Sequence, residues 1–273
     1  FTKEGFKSAV EKVKNHIKEG DIIQLVLSQR FSVDFHADPF TVYRYLRNLN
    51  PSPYMIYLDF KNHIVCGASP EMLLRCENNE LVTRPIAGSR PRGKSTQEDE
   101  SLKDELLKDI KERAEHVMLV DLARNDLGRV AEAGSVKVPI FMDVERFSHI
   151  MHIVSEVRAR LNKGEDIFSA YTRCAPAGTL SGAPKVRAMQ IIDELEPQKR
   201  GIYGGSVGYF SFTNSLDTCI IIRTIMFKDK KAYIQAGAGL VYDSVPETEY
   251  QETLNKAKAQ LLTLELAAGE HSA

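Results

Sequence analysis

The sequence lacks the features that would assign it to a membrane, a nucleic acid or an oxidising compartment. No apolar run approaches the roughly 20 residues of a membrane-spanning helix, and no stretch is built like a signal peptide. Lysine and arginine number 36 against 37 aspartate and glutamate, a net charge of -1, and no basic run stands out. That excludes an electrostatic footprint for nucleic acid or an anionic membrane surface. The four cysteines, Cys66, Cys76, Cys174 and Cys219, are scattered without a C-x-x-C pair. They read as reduced thiols in a reducing, cytoplasmic setting. Internal repeats, low-complexity tracts and a convincing linker are missing too, so the 273 residues read as a single domain over 1–273. The chain opens on Phe1 rather than Met, with a helical pattern almost at once, which reads as a fragment or a processed chain.

What is present is a mixture of helical and alternating patterns. Thr2 caps an expected helix over 3–19, with Phe6, Val10, Val13 and Ile17 on one face and Gly20 as its stop. Alternation over 22–35 predicts a long strand, and Asp38-Pro39 opens a second helix over 40–49. Strands are expected over 54–60, 64–68, 72–76 and 81–84, followed by a Pro/Gly loop over 85–93. A charged run, 97–111, continues into a helix ending at Gly128; strands 135–147 and 149–161 and a short helix over 166–172 follow. A Gly/Pro loop, 176–184, feeds a helix over 185–195. Strands over 206–212, 218–227 and 232–237 precede a last helix over 247–266. Turns of hairpin length argue for an α+β fold with mainly antiparallel sheets.

The candidate chemistry starts with two carboxylate pairs. Glu112 and Glu115 stand three apart on the helix ending at Gly128, and Glu249 and Glu252 repeat that spacing on the last helix. Such residues leave one helix face. The pairs are either solvated acidic faces or holders of a hard cation such as Mg2+, which prefers oxygen ligands. Lys256 lies one turn beyond Glu252, and Arg223 sits in the apolar run Cys219–Ile225, where a charge needs an anionic partner. Gly237-Ala-Gly239 lets backbone amides approach a ligand, although a crowded strand end gives the same pattern. His152, inside a strand, is either structural or an acid–base group. His116 points off the glutamate face and reads as a packing residue. Glu71 follows a strand end beside Pro70, where a turn would present it.

Four longer motifs carry a resemblance. Gly178-Thr-Leu-Ser-Gly-Ala-Pro-Lys185, Pro85-Ile-Ala-Gly88 with Arg90-Pro-Arg-Gly93, Asp121-Leu-Ala-Arg-Asn-Asp126 and Gln235-Ala-Gly-Ala-Gly239 together resemble the chorismate-utilising enzymes. Within them the chain looks most like the anthranilate synthase component I group, over essentially its whole length. The resemblance implies layered antiparallel β-sheets with flanking helices. It implies Mg2+ held directly by Glu115 and Glu252, with Glu112 and Glu249 acting through water or orienting them. Tyr203, Arg223 and the amides of Gly237, Ala238 and Gly239 would hold the enolpyruvyl side of chorismate, with Lys256 close to the metal-bound carboxylate. Glu71 matches the acid that protonates the leaving C4 hydroxyl, and His152 and Thr179 match residues near the ring.

Two positions sort the family's members. Gln24 stands where isochorismate and salicylate synthases carry a water-activating lysine, and Ala87 where many aminodeoxychorismate synthases carry a nucleophilic one. With neither lysine, the resemblance implies direct attack of ammonia and the route to anthranilate and pyruvate in tryptophan biosynthesis. Aminodeoxyisochorismate synthase, aminodeoxychorismate synthase and a non-catalytic scaffold for a glutaminase are the alternatives. The ammonia would come from a glutamine amidotransferase partner, since no Gly-x-Cys-x-Gly loop surrounds any cysteine. Asn50, Pro53, Tyr54 and Met55 resemble half of the family's tryptophan site. The other half lies in an N-terminal segment absent here, so weak tryptophan inhibition is expected.

Overall fold

The computed structural model describes residues 1–147 and 150–271. The fold is α+β, with two antiparallel sheets and flanking helices. Contacts divide the chain into two compact units: one comprises 1–70, 178–205 and 221–273, the other 71–177 and 206–220.

The first unit contains a six-stranded sheet in the order β2-β3-β12-β13-β1-β9. Its strands are β1 (Gln24–Asp34), β2 (Tyr54–Asp59), β3 (Ile64–Ser69), β9 (Gly182–Ala183), β12 (Thr224–Lys228) and β13 (Lys231–Leu240). Helices α1 (Lys3–Lys18), α2 (Pro39–Leu49), α6 (Lys185–Leu195) and α7 (Pro246–His271) flank it. The β13 alternation shows why the sheet is one-sided. Ala232, Ile234 and Ala236 join Val42 and Leu46 of α2 and Ala257 and Leu264 of α7 in one core. Ala238 and Leu240 join Phe6, Val10 and Val13 of α1 in another. The intervening Gln235, Gly237 and Gly239 therefore face away from these helices.

The second unit contains seven strands, β10-β11-β4-β5-β8-β6, with β7 on the remaining edge of β8. They are β4 (Met72–Glu77), β5 (Glu80–Thr83), β6 (Ile86–Pro91), β7 (Lys137–Arg146), β8 (Ile150–Arg160), β10 (Ser206–Phe210) and β11 (Leu216–Ile220). Helices α3 (Thr96–Lys108), α4 (Ile110–Gly128) and α5 (Ile167–Cys174) accompany them. Leu106 of α3 packs with Val144, Met151 and Ile153 of the sheet.

Three expectations are corrected. The loop expected over 85–93 contains strand β6, paired with β8 from Ile86↔Val154 to Pro91↔Ile150. Its glycine signal marks a register shift at Gly88, whose φ of 69° kinks the strand without ending pairing. The charged run does not continue as one helix: Asp109 ends α3 and caps α4, its carboxylate accepting from the Lys111 and Glu112 amides at 3.0 and 3.1 Å. The strand expected over 218–227 is two strands, β11 and β12, in different sheets. The break falls at Arg223, whose φ of 51° is incompatible with continuing either ladder. His149, expected to begin a strand, lies outside the described residues, and β8 begins at Ile150.

Candidate functional site

In the six-stranded unit, five of the candidate residues converge. The Lys256 ammonium lies 2.5 Å from a Glu252 oxygen and donates to the Gly237 carbonyl at 3.0 Å. Arg223 donates from Nη1 to the Lys256 carbonyl at 2.8 Å. Its left-handed backbone places the guanidinium there, where burial pushes its pKa down against the opposing pull of Tyr203 and Glu252. No described carboxylate forms an ion pair with it. A Cβ on Gly237 would come within 2.8 Å of the Tyr203 hydroxyl and 2.9 Å of the Leu27 carbonyl, so only glycine lets these groups close up.

The strand expected over 232–237 runs on, so that Ala238 and Gly239 as well as Gly237 lie inside β13, opposite Leu27, Val26 and Ser28 of β1. On the other edge, the ladder with β12 stops at Ile225↔Ile234. A cavity of about 150 Å³ adjoins, lined among others by Arg30, Tyr203, Thr224, Tyr233 and Gln235.

Other candidates in this unit are dispersed around it. Gln24 begins β1 opposite Ala183; it is 2% exposed, and its Oε1 has no hydrogen-bond partner among the described residues. Thr179 sits half-buried in the turn before β9. Asn50 caps the C-terminus of α2, and Pro53 precedes β2. Tyr54 and Met55 open β2 opposite Ser69 and Ala68, with Met55 against the apolar core.

The seven-stranded unit gathers Glu112, His152 and Gly88. Gly88 lies so close beneath Glu112 that a Cβ would meet its Oε2 at 3.1 Å, and its carbonyl is 2.9 Å from His152 Nδ1. The His152 ring packs edge-on against Phe147, 5.6 Å between centroids. Glu71 immediately precedes β4, and its carbonyl accepts from the Ile220 amide at 3.1 Å. Burial, then the neighbouring Asp109, pushes the Glu112 carboxyl above its usual value. His116 is fully buried on the core side of α4, and burial lowers its pKa to about 4, leaving a neutral imidazole.

Arg90 lies beside the candidate carboxylate Glu112 and was not singled out by sequence reasoning. It reaches Glu105 and Asp109 at 2.8 Å each and Glu112 at 3.5 Å, joining β6 to both helices. The motif Arg90-Pro-Arg-Gly93 was visible, but the strand that aims the side chain was hidden by its prolines.

The donor chemistry suits a hard cation. The pair on α4, Glu112 and Glu115, and, taken by itself, the pair on α7, Glu249 and Glu252, each offers oxygen alone, as Mg2+ prefers. Burial raises the Glu112 carboxyl above its usual value, a shift that a nearby cation would oppose. Elsewhere, ligand atoms of His16, Glu19 and Asp21 lie within 4.8 Å of one another. Asp21 accepts from Arg187 at 2.7 Å and lies 2.9 Å from His16 Nδ1.

Comparison with known proteins follows the same lines. Residues 1–262 match the family model described as chorismate binding enzyme. The chain is 58% identical over 267 residues to anthranilate synthase component 1 of Aquifex aeolicus, covering 98% of this chain and 54% of that protein. It thus spans about half the length of the relatives it matches. The crystal structure of anthranilate synthase component I from Streptococcus pneumoniae is similar at a TM-score of 0.89 and 48% identity, with 95% of this chain and 58% of that one covered. MenF, the menaquinone-specific isochorismate synthase of Escherichia coli, is similar at a TM-score of 0.85 and 25% identity, covering 97% and 61%.

Proposed function

The chain belongs to the chorismate-binding enzyme family, and on that premise we propose that it carries the anthranilate synthase reaction: chorismate and ammonia to anthranilate and pyruvate. The observation that carries this reading is Arg223, a half-buried guanidinium that forms no ion pair with a carboxylate among the described residues, beside Lys256, Tyr203 and Gly237. A cation short of water calls for an anion, and a carboxylate matches the guanidinium fork.

In this reading Arg223, Tyr203 and the amides of 237–239 hold the enolpyruvyl carboxylate. Glu115 and Glu252 would hold Mg2+ directly, with Glu112 and Glu249 acting through water. Bound there, the cation would hold the ring carboxylate and draw electrons from the ring. Glu71 donates a proton to the departing C4 hydroxyl, which leaves as water rather than as hydroxide. Ammonia adds at C2, and Thr179 and His152 lie along the ring. His152 then takes the C2 proton as the C3–O bond breaks, and the departing enolpyruvate takes up a proton at its methylene carbon to become pyruvate. The Gly88 carbonyl bond to Nδ1 favours the tautomer with its acceptor on Nε2.

Gln24 and Ala87 support ammonia as the nucleophile, because neither supplies an amine. Ammonia would come from a glutamine amidotransferase partner. Asn50, Pro53, Tyr54 and Met55 would form part of a tryptophan site. No helix among the described residues is long and apolar enough to cross a membrane; four buried free thiols support placement in the cytoplasm.

The test is to incubate the chain with chorismate, Mg2+ and an ammonium salt, following anthranilate fluorescence and pyruvate together. Both should appear and both should vanish with EDTA or in Glu115→Ala and Glu252→Ala. An aminated product without pyruvate would replace this reading by aminodeoxyisochorismate synthase. Full turnover in the glutamate variants would remove the metal assignment.

A further inference from the structure

The first two turns of α4 carry Glu112 and Glu115, yet they bring no apolar side chain into the core. Ile110 is 84% exposed, and the buried residues of the helix begin only at His116, continuing through Leu119, Val120, Ala123 and Leu127. The packed second half holds the helix by non-directional apolar contact, and the first turn is held by the Asp109 cap and by Arg90, which reaches Asp109 and Glu112. A hydrogen bond fixes direction.

One such bond stands at the boundary. His116 Nε2 lies 2.6 Å from Ser155 Oγ, both side chains fully buried. The same hydroxyl accepts from the Met142 amide at 2.9 Å. Met142 is itself unusual: its φ is 56°, inside a register shift between Ile140 and Asp143 where β7 bulges against β8. A bulge leaves a backbone amide without its ladder partner, and the Ser155 hydroxyl satisfies it. The bulge, the serine and the imidazole thus form a continuous buried post from β7 through β8 to α4. His116 follows Glu115 directly and lies one turn beyond Glu112.

We propose that His116 and Ser155 are positioning residues for the cation site: the hydrogen-bonded post from the β7 bulge, together with the Arg90 ion pairs at the first turn, sets the rotation of α4 and so aims Glu112 and Glu115. This rests on the metal reading above. The post touches neither substrate nor cation, and an apolar residue of equal bulk at 116 would preserve burial while losing the aim.

The test compares the wild-type chain with His116→Leu, His116→Gln, Ser155→Ala and the Leu/Ala double variant. Mg2+ is titrated by calorimetry without chorismate, and amide hydrogen exchange is read along α4. Loss of an orienting partner behind a metal ligand typically weakens metal binding by about 10–100-fold. His116→Leu and Ser155→Ala should therefore each weaken Mg2+ binding by about tenfold or more, and the double variant should be no worse than either. His116→Gln, whose amide nitrogen reaches the serine, should recover most of the affinity. Exchange should quicken over residues 111–115 in the leucine variant but not over 119–127. Should the leucine variant fail to fold, Ser155→Ala, which deletes one oxygen, decides. Wild-type affinity and exchange in both single variants would overturn the inference, as would failure of glutamine to rescue a folded leucine variant. A wild-type chain that takes up no Mg2+ overturns the metal reading instead; the exchange contrast, which needs no metal, tells the two failures apart.

Discussion

Gly237 is where a single methyl group should be felt most. An alanine there would press on the Tyr203 hydroxyl, the Leu27 carbonyl and Val26 Cγ1, at 2.8, 2.9 and 3.0 Å. Overpacking of this kind costs about 1–3 kcal/mol, and about 1.4 kcal/mol lost from binding is tenfold. Because the displaced groups line the proposed carboxylate site, Gly237→Ala should raise the KM for chorismate by about tenfold, with a smaller change in kcat. An unchanged KM in a folded variant would show that Tyr203 does not hold substrate. Arg223 shows how far such residues were legible. Its isolation among apolar neighbours marked it as a cation short of water; the structure leaves it half-buried, with its pKa lowered by desolvation. Its left-handed backbone was not legible, because φ above zero is written in sequence only when glycine or asparagine supplies it.

At the level of elements, boundaries marked by a capping residue were readable: Thr2 and α1, Asp38-Pro39 and α2. Elements defined by distant partners were not. β6 reads as a loop because its prolines and Gly88 are local signals, whereas its pairing with β8 is set some sixty residues away, as Ala87↔Ile153 shows. The α3–β6–β7 junction was likewise hidden, and it carries a pH prediction. Asp99 accepts from Arg92, from the Gly93 amide at 2.8 Å and from Arg146, which together hold its carboxyl well below its usual value of 3.8. A depressed folded pKa means stability that is fully present above about 3.8 and lost as the pH falls toward the folded value. Asp99→Asn should melt below the wild type at pH 7, and the gap should close as melting is repeated below pH 4. A gap constant with pH would mean that the junction rests on packing rather than on ionisation.

On the scale of the whole chain, both compact units are discontinuous: one takes three segments and the other two. No composition shift marks the crossings, since β4 at residue 72 and β10 at residue 206 are ordinary strands of the second unit's sheet. The same placement governs the cysteines. Cys66 on β3, Cys76 on β4, Cys174 on α5 and Cys219 on β11 are all buried and free. Burial pushes the Cys66 thiol to about 12 and raises Cys76 as well. A thiol nucleophile needs an accessible, depressed pKa, so the chain should be unable to release ammonia from glutamine by cysteine chemistry. Iodoacetamide on the native chain should add nothing detectable by mass, and four adducts should appear after unfolding in guanidinium. Chorismate with glutamine should then yield no anthranilate from this chain alone, while ammonium salt supports turnover before and after native alkylation. Anthranilate from glutamine alone would mean that the chain carries its own nitrogen-releasing site, and the need for a glutaminase partner would fall.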